Sequence, residues 1–122
     1  MNSSKILIVG LGSMGKRRIR CLKYLDSAKT IFGYDTNLIR QKAVCEDYNI
    51  NPFNDFDNIG KFNLSCIIIS TSPESHHIYL DIAIKNNLHA FIEAGLENKF
   101  HDYYHKSAIN KNLILAPSCT LI

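Results

Sequence analysis

Lys5 to Leu25 reads KILIVGLGSMGKRRIRCLKYL, and the fold follows from this stretch. An apolar run, Ile6-Leu7-Ile8-Val9, leads into Gly10, Gly12 and Gly15 in G-x-G-x-x-G spacing. Met14, Ile19, Leu22 and Leu25 then recur with a helical rhythm. Strand, glycine turn, helix is the setting that gives this spacing physical meaning. Gly10 permits the tight turn, Gly12 leaves the backbone bare for a pyrophosphate, and Gly15 lets the helix pack close to the sheet. The helix start at Ser13 and Met14 offers N–H groups and a partial positive charge to phosphates. Asp35 lies about 20 residues beyond Gly15 and closes a second apolar run, Ile31-Phe32-Gly33-Tyr34. An acid there can accept hydrogen bonds from ribose hydroxyls. A glycine-rich turn without a ligand is the alternative; the strand before it and the acid after it favour the ligand.

With 122 residues, 46% hydrophobic and 20% charged, the chain suits one soluble globular domain, residues 1–122, with no second domain. The net charge of +3 suits an anionic small ligand and does not argue for nucleic acid. The basic residues Lys16, Arg17, Arg18 and Arg20 sit early in the first helix, where cations cost a few tenths to about 1 kcal/mol each. A bound polyanion would relieve that, but for any single one of them a solvated basic face is the favoured reading. The cluster is too short, and too poor in interleaved aromatics, for nucleic-acid binding. Cys21, Cys45, Cys66 and Cys119 form no C-x-x-C and read as reduced, small, buried residues of a cytoplasmic protein. No signal peptide and no membrane-length apolar stretch is visible.

The pattern predicts strands over Lys5 to Val9, Thr30 to Tyr34, Asn49 to Asn51, Leu64 to Ser70, His89 to Ile92 and Leu113 to Ala116. Pro52 should end the third. Helices are expected over Ser13 to Tyr24, Leu38 to Tyr48 behind an Asn37 cap, Pro73 to Asn86 and Asn98 to Asn110. Leu38, Ala43, Val44 and Tyr48 are candidates for the inner face of the second. Ser72 or Thr71 should cap the third, with Pro73 at its first position. Phe53 to Asn63 reads as a short helix or ordered loop. This alternation means an α/β doubly wound parallel sheet of about six strands, of the Rossmann type, with helices on both faces. Its crevice at the carboxyl ends of the strands would gather Gly10 to Gly15, Asp35, Ser70 to Glu74 and Glu93.

Three segments resemble the N-terminal domain of the Gfo/Idh/MocA oxidoreductase family. They are Gly10-Leu11-Gly12-Ser13-Met14-Gly15, Ser70-Thr71-Ser72-Pro73-Glu74-Ser75-His76 and His89-Ala90-Phe91-Ile92-Glu93-Ala94-Gly95-Leu96. The family usually has a Thr-Pro step after the fourth strand, a histidine a few residues on, and Glu-Lys-Pro after the fifth. The resemblance implies that Thr71, Ser72 and Pro73 line a dinucleotide near its pyrophosphate and nicotinamide ribose, with Glu93 beside that ribose. For His76 it offers a site role, against local packing or capping. Two departures matter. Ala94 and Gly95 replace the family's lysine and proline, and the second α/β domain that supplies most of the substrate site has no counterpart. Pro117-Ser118-Cys119-Thr120 also differs from the glycine- and arginine-containing stretch usual there.

The expected ligand is therefore NAD rather than NADP, since Asp35 would face a 2′-phosphate; Arg40 could soften this by folding back but, five residues on, is expected to face solvent on its helix. The resemblance implies an NAD(P)-binding oxidoreductase domain acting on a sugar- or polyol-type substrate, inactive as this isolated chain. A substrate would bind only with a further domain or partner chain, and an oligomer is open. The alternative is a non-catalytic nucleotide-binding module that regulates or assembles with a partner. No catalytic residue is assigned. His101 and His105 are spaced i, i+4, but without H-E-x-x-H they make no metal site.

Overall fold

The computed structural model describes residues 4–25, 29–92, 106–109, 111 and 115–117. Lys5–Val9 is β1, Ser13–Leu25 α1, Thr30–Tyr34 β2, Leu38–Tyr48 α2 and Asn51–Pro52 β3. A 3-10 helix, Phe56–Phe62, leads to β4, Cys66–Ile69. A 3-10 turn, Pro73–Ser75, opens α3, His76–Lys85; His89–Ile92 is β5 and Leu115–Pro117 β6. Every strand pairing among the described residues is parallel, in the order β3-β2-β1-β4-β5-β6. Five strands have three to five residues, and the sixth, β3, is a two-residue edge. The winding therefore reverses between β1 and β4, and a crevice opens where the connections leaving their carboxyl ends diverge.

Because side chains alternate along a strand, β1 feeds two cores. Leu7 and Val9 join Ile67, Ile69, Leu80 and Ile92 on one face. Ile6 and Ile8 join Leu11, Ile19, Ile31 and Val44 on the other. Helices thus cover both faces, as the unbroken apolar run of β1 requires. The Phe56–Phe62 segment packs its aromatic rings edge-on: Phe53 lies 5.1 Å from Phe56 and 4.9 Å from Phe62, centroid to centroid. These contacts order a stretch whose local pattern was ambiguous.

Several expectations need correction. The inner face of α2 is Gln41, Val44 and Cys45 with half-buried Tyr48, whereas Leu38 and Ala43 are exposed. Gln41 is buried because its Nε2 donates to the carbonyls of Gly33 (2.9 Å) and Phe53 (3.0 Å). In α1, Leu25 is exposed and Ile19 carries the inner face with Gly15. Cys21 is exposed, while Cys45 is buried. Asn49 belongs to the C-cap of α2, with φ 54°, and not to β3. Pro52 sits within β3, which is tolerated because an edge strand can turn its missing N–H outward. Strand β4 is shorter at both ends than expected, and β6 ends at Pro117. Asn37 caps α2 as expected, its side chain accepting from the Arg40 N–H. Ser72 occupies the cap position before Pro73, but its side chain makes no capping bond.

Candidate functional site

The glycine turn is built by contact as much as by conformation. Gly10 has φ 93°, a region L side chains rarely adopt. A Cβ there would stand 2.8 Å from the Ser70 carbonyl, so the turns after β1 and β4 touch at this point. Gly15 is close-packed differently: a Cβ on it would collide with the Gly10 carbonyl oxygen. Gly12 has the opposite surroundings, with nothing within 4 Å of where its Cβ would stand. Its bareness is not needed for packing among the described residues. Ser13, Met14 and Gly15 begin α1, whose hydrogen bond from the Lys16 N–H to the Gly12 carbonyl closes the first turn.

A cavity of about 440 Å³ opens between these turns. Gly10 and Gly12 form one side, Asp35, Thr36 and Arg40 the second, and Ser70, Thr71, Ser72, Ile78 and Tyr79 the third. Of the residues expected from sequence, Gly10, Gly12, Asp35, Thr71 and Ser72 come together here. Ser13, Met14, Gly15, Pro73 and His76 do not line it: Gly15 and His76 are buried behind the wall, and Ser13 and Pro73 are exposed beside it. Glu93, Ala94, His101 and His105 lie outside the described residues. Sequence reasoning missed Tyr34, Thr36, Arg40, Ser75, Ile78 and Tyr79 as lining residues. Tyr34 and Thr36 flank Asp35 directly; Ser75, Ile78 and Tyr79 share a helical face, a spacing that could have identified them.

Asp35 is 5% exposed. Its Oδ2 accepts from the Leu11 N–H at 2.8 Å and its Oδ1 from the Asn37 N–H at 2.8 Å. The carboxylate therefore joins the glycine turn to the start of α2. Arg40 is about half exposed on its helix and also folds back: its Nη1 lies 3.5 Å from Asp35 Oδ2. Burial pushes the Tyr79 phenol up, and the neighbouring Tyr34 and Asp35 add to the shift. Burial likewise raises the Cys66 and Cys45 thiols. The basic face of α1 stays off the cavity: Arg20 donates to the Tyr48 hydroxyl at 3.0 Å, and the Arg18 guanidinium stacks 5.4 Å above the Phe91 ring.

Chemically, the cavity joins a bare glycine, a buried carboxylate, a guanidinium and the hydroxyl-bearing residues Thr71, Ser72 and Ser75, with the start of α1 next to Gly12. No helix among the described residues is long and apolar enough to cross a membrane.

No curated protein matches the chain. Solved structures do. UDP-N-acetylglucosamine 3-dehydrogenase GnnA from Acidithiobacillus ferrooxidans superposes with a TM-score of 0.80 at 20% identity, over 96% of this chain and 38% of that one. Biliverdin reductase from Synechocystis sp. PCC 6803, in complex with biliverdin and NADP+, gives 0.82 at 15% identity, over 93% and 37%. An oxidoreductase from Agrobacterium radiobacter, in complex with NAD+, L-tartaric acid and magnesium, gives 0.83 at 16% identity, over 95% and 35%. At these identities the likeness establishes the fold, and the chain spans little more than a third of each of these proteins. The pattern that defines the oxidoreductase family with an NAD-binding Rossmann fold matches residues 4–102. With that match over most of its length, the chain belongs to the Gfo/Idh/MocA oxidoreductase family, as its NAD-binding Rossmann domain.

Proposed function

We propose that residues 1–122 form one domain that holds NAD for an oxidoreductase acting on a sugar- or polyol-type substrate. The observation that carries this is the convergence of Gly12, Asp35 and Thr71 on one cavity where the strand order reverses. In this reading the pyrophosphate lies over Gly12, Ser13 and Met14, in the space a Cβ on Gly12 would otherwise take. Asp35 takes the adenosine ribose hydroxyls with acceptor capacity left over from its two backbone bonds. Arg40 and Ile78, on opposite walls, give the adenine a guanidinium face and an aliphatic face. Thr71, Ser72 and Pro73 border the pyrophosphate and nicotinamide ribose, His76 supports them, and Glu93 stands beside that ribose. The nicotinamide, when bound, supplies the hydride chemistry; the chain binds, orients and shields it. A sugar-type substrate is supported by the family and by the named activity of GnnA. The dispersed thiols support a cytoplasmic setting.

Ala94, where the family carries lysine, favours a second reading: a dinucleotide-binding module that regulates or assembles with a partner and does no chemistry itself. Both readings require the same cofactor site, so its test comes first. Calorimetric titration of NAD into the 122-residue chain and its Gly12→Val variant should show binding by the first and a loss of at least tenfold in the second. Equal affinities would remove the pyrophosphate from this turn.

A further inference from the structure

His76, the first residue of α3, is wholly buried, with 0% exposure. Its Nε2 lies 3.0 Å from the Thr71 carbonyl oxygen. A carbonyl only accepts, so the bond assigns the proton to Nε2 and leaves Nδ1 as an acceptor. That Nδ1 is buried and has no hydrogen-bond partner among the described residues. A leucine or phenylalanine would fill such a space without an unpaired acceptor, which destabilises a fold. A polar ring kept there is accounted for by what its other nitrogen holds.

What it holds is the turn over the cavity. Thr71 and Ser72 line the cavity, and the backbone of Ser70 and Thr71 packs on Gly10 of the facing turn. The Ser72 carbonyl accepts from the Ser75 N–H at 3.0 Å and the Ser75 Oγ at 2.9 Å. The Thr71 carbonyl accepts from His76. Two successive carbonyls of this turn are thus bonded into the protein. Phosphate oxygens are themselves acceptors, and a carbonyl dipole facing them is repulsive. We infer that His76 is a positioning residue for the dinucleotide: it draws the Thr71 carbonyl toward the buried ring, so that this acceptor does not face the phosphates of the ligand. The inference rests on the cofactor placement proposed above.

The test compares the 122-residue chain with His76→Leu and His76→Gln, the amide of the second being able to donate to the same carbonyl. Thermal unfolding is recorded without ligand. Affinities for NAD, ADP-ribose and AMP are then measured by calorimetry at a temperature where each variant is folded. The Leu variant should unfold no lower than wild type, yet bind NAD and ADP-ribose about tenfold more weakly, the scale of one neutral hydrogen bond. AMP, which does not reach the Thr71 side, should change by less than about twofold, and the Gln variant should recover most of the NAD affinity. Unchanged NAD affinity in the folded Leu variant, or an equal loss for AMP, would reduce His76 to a packing residue. So would a folded Gln variant as weak as the Leu variant. A wild-type chain that binds no NAD would instead overturn the cofactor placement.

Discussion

The Arg40 guanidinium folds back from α2 to within 3.5 Å of the Asp35 carboxylate, the acid at the end of β2. Asp35 is buried while the Arg40 side chain is about half exposed, so the pair stands at the cavity wall with one fixed member and one movable member. A 2′-phosphate brought against Asp35 would meet repulsion of roughly 1–3 kcal/mol at a partly screened site, and Arg40 offsets part of it. We therefore expect NAD to bind more tightly than NADP, and Arg40→Leu to widen the gap: losing the guanidinium face over the adenine weakens both cofactors, and NADP severalfold more. Paired titrations of both cofactors at low salt measure this. An unchanged ratio would show that Arg40 does not reach the ribose.

Gln41 joins α2 to two other segments through the Gly33 and Phe53 carbonyls. Gly33 O also accepts from Phe53 N, so removing the amide leaves chiefly the Phe53 carbonyl unpaired. Gln41→Leu should cost about 2–4 kcal/mol, from lost hydrogen bonds plus a stranded buried acceptor. Urea unfolding reads this as a lower midpoint at an unchanged slope. A Leu variant as stable as wild type would mean that water reaches this carbonyl.

The isolated chain should show no dehydrogenase turnover. Moving a hydride to or from a carbinol also moves a proton, and Ala94 offers only a methyl group where the family has lysine. Loss of a positioned acid–base group lowers rates by about 10²–10⁴. The check is absorbance of reduced cofactor with a panel of sugars, polyols and amino sugars, on the chain and on Ala94→Lys. Turnover by the unaltered chain would point to a base not yet identified.

Alkaline pH should destabilise the fold. Tyr79 and Cys66 lose their protons at higher pH when folded than their ordinary values of 10.0 and 9.0, because burial disfavours the charged forms. Above those ordinary values the unfolded chain is the one that has lost protons, so the folded state binds more of them and stability falls as pH rises. Unfolding midpoints from pH 8 to about 11 should decline, and Tyr79→Phe should make the decline shallower. Parallel declines would assign the effect to other groups.

The strand, glycine turn and helix from Lys5, the Asn37 cap and the acid at Asp35 were all legible because each is a local device. They depend on residues within one turn or on a fixed alternation, which spacing records directly. The parallel, doubly wound sheet followed by the same logic. Four side chains were decided only in three dimensions. Gln41 was missed on the inner face of α2 because a polar residue is buried only when partners exist, and one of them, Phe53, belongs to a segment beyond β3. Whether Arg40 faces solvent or folds back is open in the sequence, because its helical position does not reveal where the carboxylate stands. Tyr79 reaches the cavity because α3 crosses the sheet beside Tyr34, 6.4 Å away between ring centroids. The sequence does not decide between packing and site for His76, because its bond is to a carbonyl whose direction the turn sets. Periodicity tells which face of an element is apolar; which polar groups lie opposite one another depends on how the elements pack, and that only the tertiary structure decides.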